Sequence, residues 1–183
     1  IFLDTEKIID YSGNEVTCID EDKNGWLWIG TNKGGLYLYN PANGQLKHFT
    51  KNRFDKTGIS NNTIRCIYRD KDGRMWLGTD SGVDVFDPLL NQFEIHYLDN
   101  DLTSTELVND FLEDENTLYI ATNDGLYLNY VDKPVSVKKS FYYQNEKLSF
   151  TRLFKDSYGT YYAGTNKTVF ILDTKNISIK TLN

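Results

Sequence analysis

Two cysteines, three prolines, one methionine and two histidines are all that the 183-residue chain holds of those residue types. Two cysteines do not build a disulfide framework, and as small apolar residues they leave the redox compartment open. No apolar run approaches the ~18 residues of a membrane-spanning helix. The opening Ile1-Phe2-Leu3-Asp4-Thr5 has neither a basic stretch nor a small-residue cleavage site, so no intact signal peptide is expected there. Basic residues are in deficit. Twenty Lys and Arg against 26 Asp and Glu leave a net charge of −6 and a pI of about 4.9. That argues against nucleic acid or an anionic membrane surface as partner, because counterion release needs clustered cations. Alanine is scarce and aromatics are abundant, at 14%. That bias favours strands over helices.

What is present is self-similarity. Residues 16–31 (VTCIDEDKNGWLWIGT) are echoed by residues 64–79 (IRCIYRDKDGRMWLGT). Weaker copies end in LYIAT at Thr122 and YYAGT at Thr165. The closing threonines, Thr31, Thr79, Thr122 and Thr165, are spaced by 48, 43 and 43 residues. Periods of ~40–50 residues belong to propeller blades.

Each unit reads as four short strands. In the first unit they cover 16–20, 26–31, 36–40 and 45–49, separated by turns rich in Asp, Asn, Gly and Pro. The second strand carries Trp26, Leu27, Trp28 and Ile29 in succession. A half-solvated strand would alternate, so this one is expected to be buried on both faces, as the inner strand of a blade near the axis. Gly30 and Gly78 would then mark a lack of room at that axis. The fold expected is all-β: about four blades of four antiparallel strands. Unit bounds fall near 1–14 (partial), 15–60, 61–105, 106–147 and 148–183. Phe2-Leu3-Asp4-Thr5 resembles Ile171-Leu172-Asp173-Thr174, so the chain is expected to start in a third strand and stop in a last one. An arc of a larger ring is preferred over a closed four-bladed one. Tight small rings need a central ion or a clasp, and the sequence points to neither. An open arc exposes blade faces and is expected to self-associate.

The strongest copy, Asp70-Lys71-Asp72-Gly73-Arg74-Met75-Trp76-Leu77-Gly78-Thr79 followed by Gly82-Val83-Asp84-Val85-Phe86-Asp87-Pro88, resembles the two-component regulator propeller repeat. So does its lead-in, Gly58-Ile59-Ser60-Asn61-Asn62-Thr63-Ile64. The first unit matches nearly as well through Trp28-Ile29-Gly30-Thr31 and Gly35-Leu36-Tyr37-Leu38-Tyr39-Asn40-Pro41. The later units depart: Tyr119 and Tyr162 replace Trp, Ala121 replaces the first Gly, and Thr168 stands where Gly is expected. Gly164 keeps its place. The resemblance implies a piece of a seven-bladed propeller in the periplasmic sensor region of a bacterial hybrid two-component receptor. Such receptors carry a membrane helix, a histidine kinase core and a phosphorelay elsewhere, and many sense oligosaccharides. His48 and His96 lie in strand-like text and not in a phosphoacceptor helix.

Several patterns invite chemistry and lose it on inspection. Asp20-Glu21-Asp22-Lys23-Asn24-Gly25 opens like a calcium loop, but Thr31 stands where a bidentate Glu belongs, and the second copy begins on Tyr68. Cys18 and Cys66 are 48 apart, as are His48 and His96, which is the repeat offset itself. Residues on successive blades do not converge on one zinc. No metal and no cofactor is expected. Asp22 to Trp28 is similar to the Asp box of sialidase propellers, but Gly25 falls three residues after the Asp and not two. No pair of carboxylates stands out, and no G-x-S-x-G, P-loop or H-E-x-x-H motif is present. The chain is not expected to be an enzyme.

Ligand candidates come from the turns. The residues after the repeat threonines are Asn32, Asp80, Asn123 and Asn166. Long connections at 50–63, 98–106 and 140–147 carry Arg53, Asn61, Asn62, Tyr142 and Tyr143. Polar donors and acceptors beside flat rings suit an oligosaccharide, which offers both hydroxyls and C–H faces. The partners expected are an oligosaccharide, neighbouring blades of a parent chain and a second copy, with no nucleic acid and no direct membrane contact. The alternative is a protein-interaction scaffold without a small ligand.

Overall fold

The structure, a computed structural model, describes residues 15–88, 90–96, 98, 106–130 and 136–182. The expected partial unit at 1–14 lies outside the described residues, as does most of the 98–106 connection. Among the described residues there is no helix, and none therefore that is long and apolar enough to cross a membrane.

Four antiparallel meanders follow one another. The first holds β1 (Val16–Glu21), β2 (Leu27–Thr31), β3 (Leu36–Asn40) and β4 (Gln45–Phe49); the second β5 (Ile64–Arg69), β6 (Met75–Thr79), β7 (Gly82–Asp87) and β8 (Gln92–His96). The third holds β9 (Val108–Asp114), β10 (Thr117–Thr122), β11 (Gly125–Tyr130) and β12 (Val137–Lys139). A hairpin of β13 (Tyr142–Tyr143) and β14 (Glu146–Lys147) interrupts what the sequence presents as a plain connection. The fourth meander is β15 (Phe150–Lys155), β16 (Tyr161–Thr165), β17 (Val169–Asp173) and β18 (Ser178–Thr181). These are propeller blades, called blades 1 to 4 below.

The first strands line the axis. β1 packs on β5, β5 on β9 and β9 on β15; no comparable packing joins β15 back to β1 among the described residues. This corrects the expectation that the Trp-Gly-Thr strand is innermost. That strand is the second in each blade, hydrogen-bonded to the first and third. Its continuous apolar run reflects blades stacked on both faces, not nearness to the axis.

The glycines change meaning accordingly. A Cβ on Gly30 would sit 2.5 Å from Cys18 Sγ and 2.8 Å from Ile64 Cγ2 of the next blade. One on Gly78 would sit 2.3 Å from Cys66 Sγ and 2.7 Å from Val108 Cγ1. Glycine is required because the first residue of the following blade presses into that spot. Ala121 fits at the same position in blade 3. There the cross-strand partner is Asp110 and the following blade supplies Phe150, which has no branch at Cβ.

The repeat threonine is a hook. Thr31, Thr79, Thr122 and Thr165 donate their hydroxyls to the carbonyls of Gly35, Gly82, Gly125 and Thr168 at 2.8–3.0 Å. Three of the four are fully buried. Each bond closes the tight turn between second and third strands. At Gly35, φ is +85°, and a Cβ would meet the Phe49 carbonyl at 2.2 Å, so the turn needs glycine there.

A second recurring link joins turn to core. Asp22, Asp70 and Asp156 accept from Trp28 Nε1, Trp76 Nε1 and Tyr162 Oη at 3.1, 2.9 and 3.0 Å. The same carboxylates cap the backbone N–H groups of their own turns. Trp76, held this way, packs against Phe111 of the next blade. Replacing Trp76 with Phe removes the indole donor from the buried Asp70 carboxylate. An expected loss of about 1–2 kcal/mol in urea unfolding follows, with little change in the denaturant slope.

Three apolar cores lie between successive blades. Trp28, Leu36 and Ile64 centre the first, Trp76, Val83 and Val108 the second, and Tyr119, Leu126 and Phe150 the third.

Candidate functional site

The second-to-third-strand turns and the long connections share one end of the blades, and backbone hydrogen bonds lace them together. Gly35 N donates to Asn62 O, Gly82 N to Glu106 O, Asn32 N to Glu15 O and Asn123 N to Leu107 O. Asn32, Asp80, Asn123 and Asn166, each one residue past a hooked threonine, lie in the turns at that end, called the mouth below.

Two of them meet a residue of the innermost strand. Asp80 pairs with Arg65 Nε, both about a third exposed. Asn123 accepts from Asn109 Nδ2 at 2.8 Å, and Ser149 Oγ donates to the same oxygen at 3.4 Å. Arg65 and Asn109 stand at bulges, where the register of the first strand shifts. The sequence reading missed both. Alignment of the four units on Thr17, Arg65, Asn109 and Thr151 would have found them, since a bulge re-aims its side chain.

Next to Asn123, Asp124 bridges Lys138 and Lys147, whose hydrogen bonds hold its carboxyl below the ordinary value. Glu146 pairs with Lys167 of blade 4. These ion pairs seat the β13–β14 hairpin over the turns of blades 3 and 4. On it Tyr142 is exposed, while Tyr143 meets Phe170 edge-on at 5.4 Å. Gln144 and Asn145, both at positive φ, make its tight turn.

The other candidates serve the connections. Asn61 donates to Ser81 Oγ and accepts from Thr63 N; Asn62 accepts from Lys51 N. Arg53 shares a cavity with Ser81, Gly82 and Glu106 of the second blade's turn and connection. It lies over the Phe54 ring and lines that cavity of about 870 Å³ between residues 51–60 and β8, with Phe93 and Ile59 at its base.

Behind that cavity sits the most unusual buried group. Asp84 of β7 is fully buried where the other blades place Tyr37, Tyr127 and Phe170. Its Oδ2 accepts from Ser60 N at 2.8 Å, and its Oδ1 has no hydrogen-bond partner among the described residues. Burial pushes its carboxyl up to about 6, against the lowering effect of the hydrogen bond from Ser60 N. Asp110, at the axis, is raised by the same cause and accepts from Phe111 N and Leu153 N.

The cysteines are free, Cys66 buried and Cys18 half-buried, and burial raises both thiols, so neither is an activated nucleophile. Among the described residues no three of His, Cys, Asp and Glu converge on a point that could hold a metal ion.

Sequence comparison bears on the same elements. Residues 10–33 and 58–81 match the family described as two component regulator propeller. The match is to two stretches of the chain, not to its whole length. The two matched stretches end on the hooked threonines Thr31 and Thr79 and the turn residues just after them. No curated protein matches the chain. Among solved structures, the extracellular domain of BT4673 from B. thetaiotaomicron is 26% identical over 92% of this chain, with TM-scores of 0.77 and 0.78 in two structures. It is described as a hybrid two component system in one and a one component system in the other. This repeat array spans 22% of that domain's length. The extracellular domain of BT3049 from the same organism is 17% identical, with a TM-score of 0.70 over 91% of this chain and 30% of its own, and shows the shared fold. A computationally designed protein, 16% identical, covers 93% of both chains at a TM-score of 0.59.

Proposed function

We propose that this chain is a ligand-sensing propeller segment from the extracytoplasmic, periplasmic part of a hybrid two-component receptor, and that its ligand is an oligosaccharide. The observation that carries the reading is the match to the BT4673 extracellular domain along nearly the whole chain, joined to two copies of the regulator repeat. The segment itself performs no catalysis: it binds and transmits.

The mouth suits a sugar. Asp80, Arg65, Asn109 and Asn123 present paired donors and acceptors that a run of hydroxyls can join or replace. Tyr142, exposed on its hairpin, offers a flat face to C–H groups. The hooked turns hold these side chains on a rigid frame, so little ordering is needed on binding.

The test is calorimetric titration of the chain with a panel of oligosaccharides. The expected result is one binding class whose affinity falls at least about tenfold in Asn123→Ala and in Asp80→Ala, each side chain losing a hydrogen-bonding role. Capture of a protein partner by the same face, with no oligosaccharide bound, would favour the scaffold reading instead.

A further inference from the structure

The three junctions between blades are not alike. At the first, Phe86 and Phe93 of blade 2 lie 5.2 and 6.2 Å from the Trp28 ring, and Phe49 meets Phe93 at 5.4 Å. At the second, around Trp76, strand register gives the positions of Phe86 and Phe49 to Asn129 and His96, and that of Phe93 to Ser136, just before β12. At the third, around Tyr119, the positions of Phe86 and Phe93 hold Leu172 and Ile179, both apolar. Of the three, the middle junction alone exchanges its aromatic filling for an amide, an imidazole and a hydroxyl.

The exchange leaves a polar cavity. Trp76, His96, Leu118 and Asn129 wall a space of about 290 Å³, against about 170 Å³ at the matching place in the first junction. Asn129 Oδ1 is buried and has no hydrogen-bond partner among the described residues. A buried acceptor left in that state costs free energy until a donor reaches it. His96 packs edge-on against Trp76 at 5.4 Å, with its Nε2 3.3 Å from Ser136 Oγ. Burial, and then the Arg74 charge, push this imidazole below its ordinary value, so it is uncharged at neutral pH. The charged groups around the space are Asp70, Glu94 and Glu113 against Arg74 alone. Asp70 is engaged by Arg74 and Trp76, Glu113 by Tyr68 and Lys71 N, and Glu94 stands exposed. An orphaned acceptor among carboxylates calls for a donor that carries positive charge.

We propose that the cavity between blades 2 and 3 binds a small molecule bearing a protonated primary amine, its ammonium donating to Asn129 Oδ1 and facing Glu94 and Glu113. The volume is at the lower end of the roughly 300–1,000 Å³ of small-molecule pockets, which suits one amino sugar or one amino acid and not a chain of them. The buried Trp76 indole, tied to Asp70, gives the ligand a fixed wall. Asp70 and Arg74 belong to the turn between the first and second strands of blade 2, at the opposite end from the hooked turns. The site therefore stands apart from the mouth and does not depend on an oligosaccharide binding there.

Calorimetric titration of the full chain at neutral pH with glucosamine and with serine, and with glucose as the uncharged control, tests this. The expected result is one-to-one binding of at least one of the amines, about tenfold or more tighter than glucose. Tighter binding of glucosamine assigns the amine to a sugar, and tighter binding of serine assigns it to an amino acid. Asn129→Phe installs the residue that blade 2 holds at this position, Phe86, and should abolish binding while a cooperative urea transition shows that the chain still folds. Glu94→Gln, at an exposed position where folding is undisturbed, should weaken binding about threefold, the scale of one solvent-facing charge. Neither amine binding more tightly than glucose overturns the proposal, and leaves the reading of the mouth standing. So does a folded Asn129→Phe variant that still binds, or undiminished binding in Glu94→Gln.

Discussion

Asp84→Asn is expected to stabilise the chain at neutral pH and to lose that gain near pH 4, where the cost of its extra buried donor is left uncompensated. Folding raises this carboxyl from 3.8 to about 6, so the buried charge opposes folding wherever the group is ionised. The difference amounts to roughly 3 kcal/mol above pH 6, at about 1.4 kcal/mol for each tenfold change in the acid's ionisation constant. Protonation relieves it as the pH falls through 6, and the relief is complete below the unfolded value. The amide keeps an acceptor for Ser60 N and carries no charge. It also buries an extra donor, so the gain expected at pH 7.5 is about 1–2 kcal/mol. Urea midpoints at pH 7.5, 6 and 4 measure this. The wild-type midpoint should climb toward acid relative to the variant. A variant less stable than wild type at pH 7.5 would show that the charge at Asp84 is favourable.

The second large effect concerns two glycines that look alike in sequence. Gly78→Ala drives a methyl group to 2.3 Å from Cys66 Sγ and 2.7 Å from Val108 Cγ1. Neither neighbour is the loose end of a long side chain, and the expected cost is about 2–3 kcal/mol, typical of overpacking. Gly164→Ala has ordinary contacts only, at 3.6 Å and beyond, and its φ is not in the left-handed region. There the substitution should be neutral, or add about 0.4–1 kcal/mol by restricting the unfolded chain. Thermal or urea unfolding of the two variants side by side separates them. Equal losses at both sites would contradict the assignment of Gly78 to an inter-blade contact.

Much of this architecture is legible in the sequence. The spacing of Thr31, Thr79, Thr122 and Thr165 gives four units because each threonine closes a turn that all four need. Third and fourth strands of the first unit, 36–40 and 45–49, are found where Pro, Asn and Gly punctuate the text. Two things were hidden. The innermost strand does not announce itself, because the positions paired with Gly30, Gly78, Ala121 and Gly164 hold Cys18, Cys66, Asp110 and Arg152, which share no polarity. Asp84 between Val83 and Val85 reads as the solvent side of an alternating strand, yet stacked blades cover both sides. Alternation reports exposure only when one face of a sheet is open to water. Of the candidate site, the turn positions follow from the repeat, whereas Arg65 and Asn109 stand at a bulge that emerges only when the four units are aligned on their first strands.

The Asp-to-ring links and the threonine hooks all join residues no more than six apart. Each blade therefore completes its own registration with almost no chain to search, which is the circumstance that makes folding quick. Stacking comes afterwards and depends on how well each junction fits. Whole units could accordingly be duplicated or lost over evolutionary time with their internal strand alignment intact, and ring size would be decided at the seams.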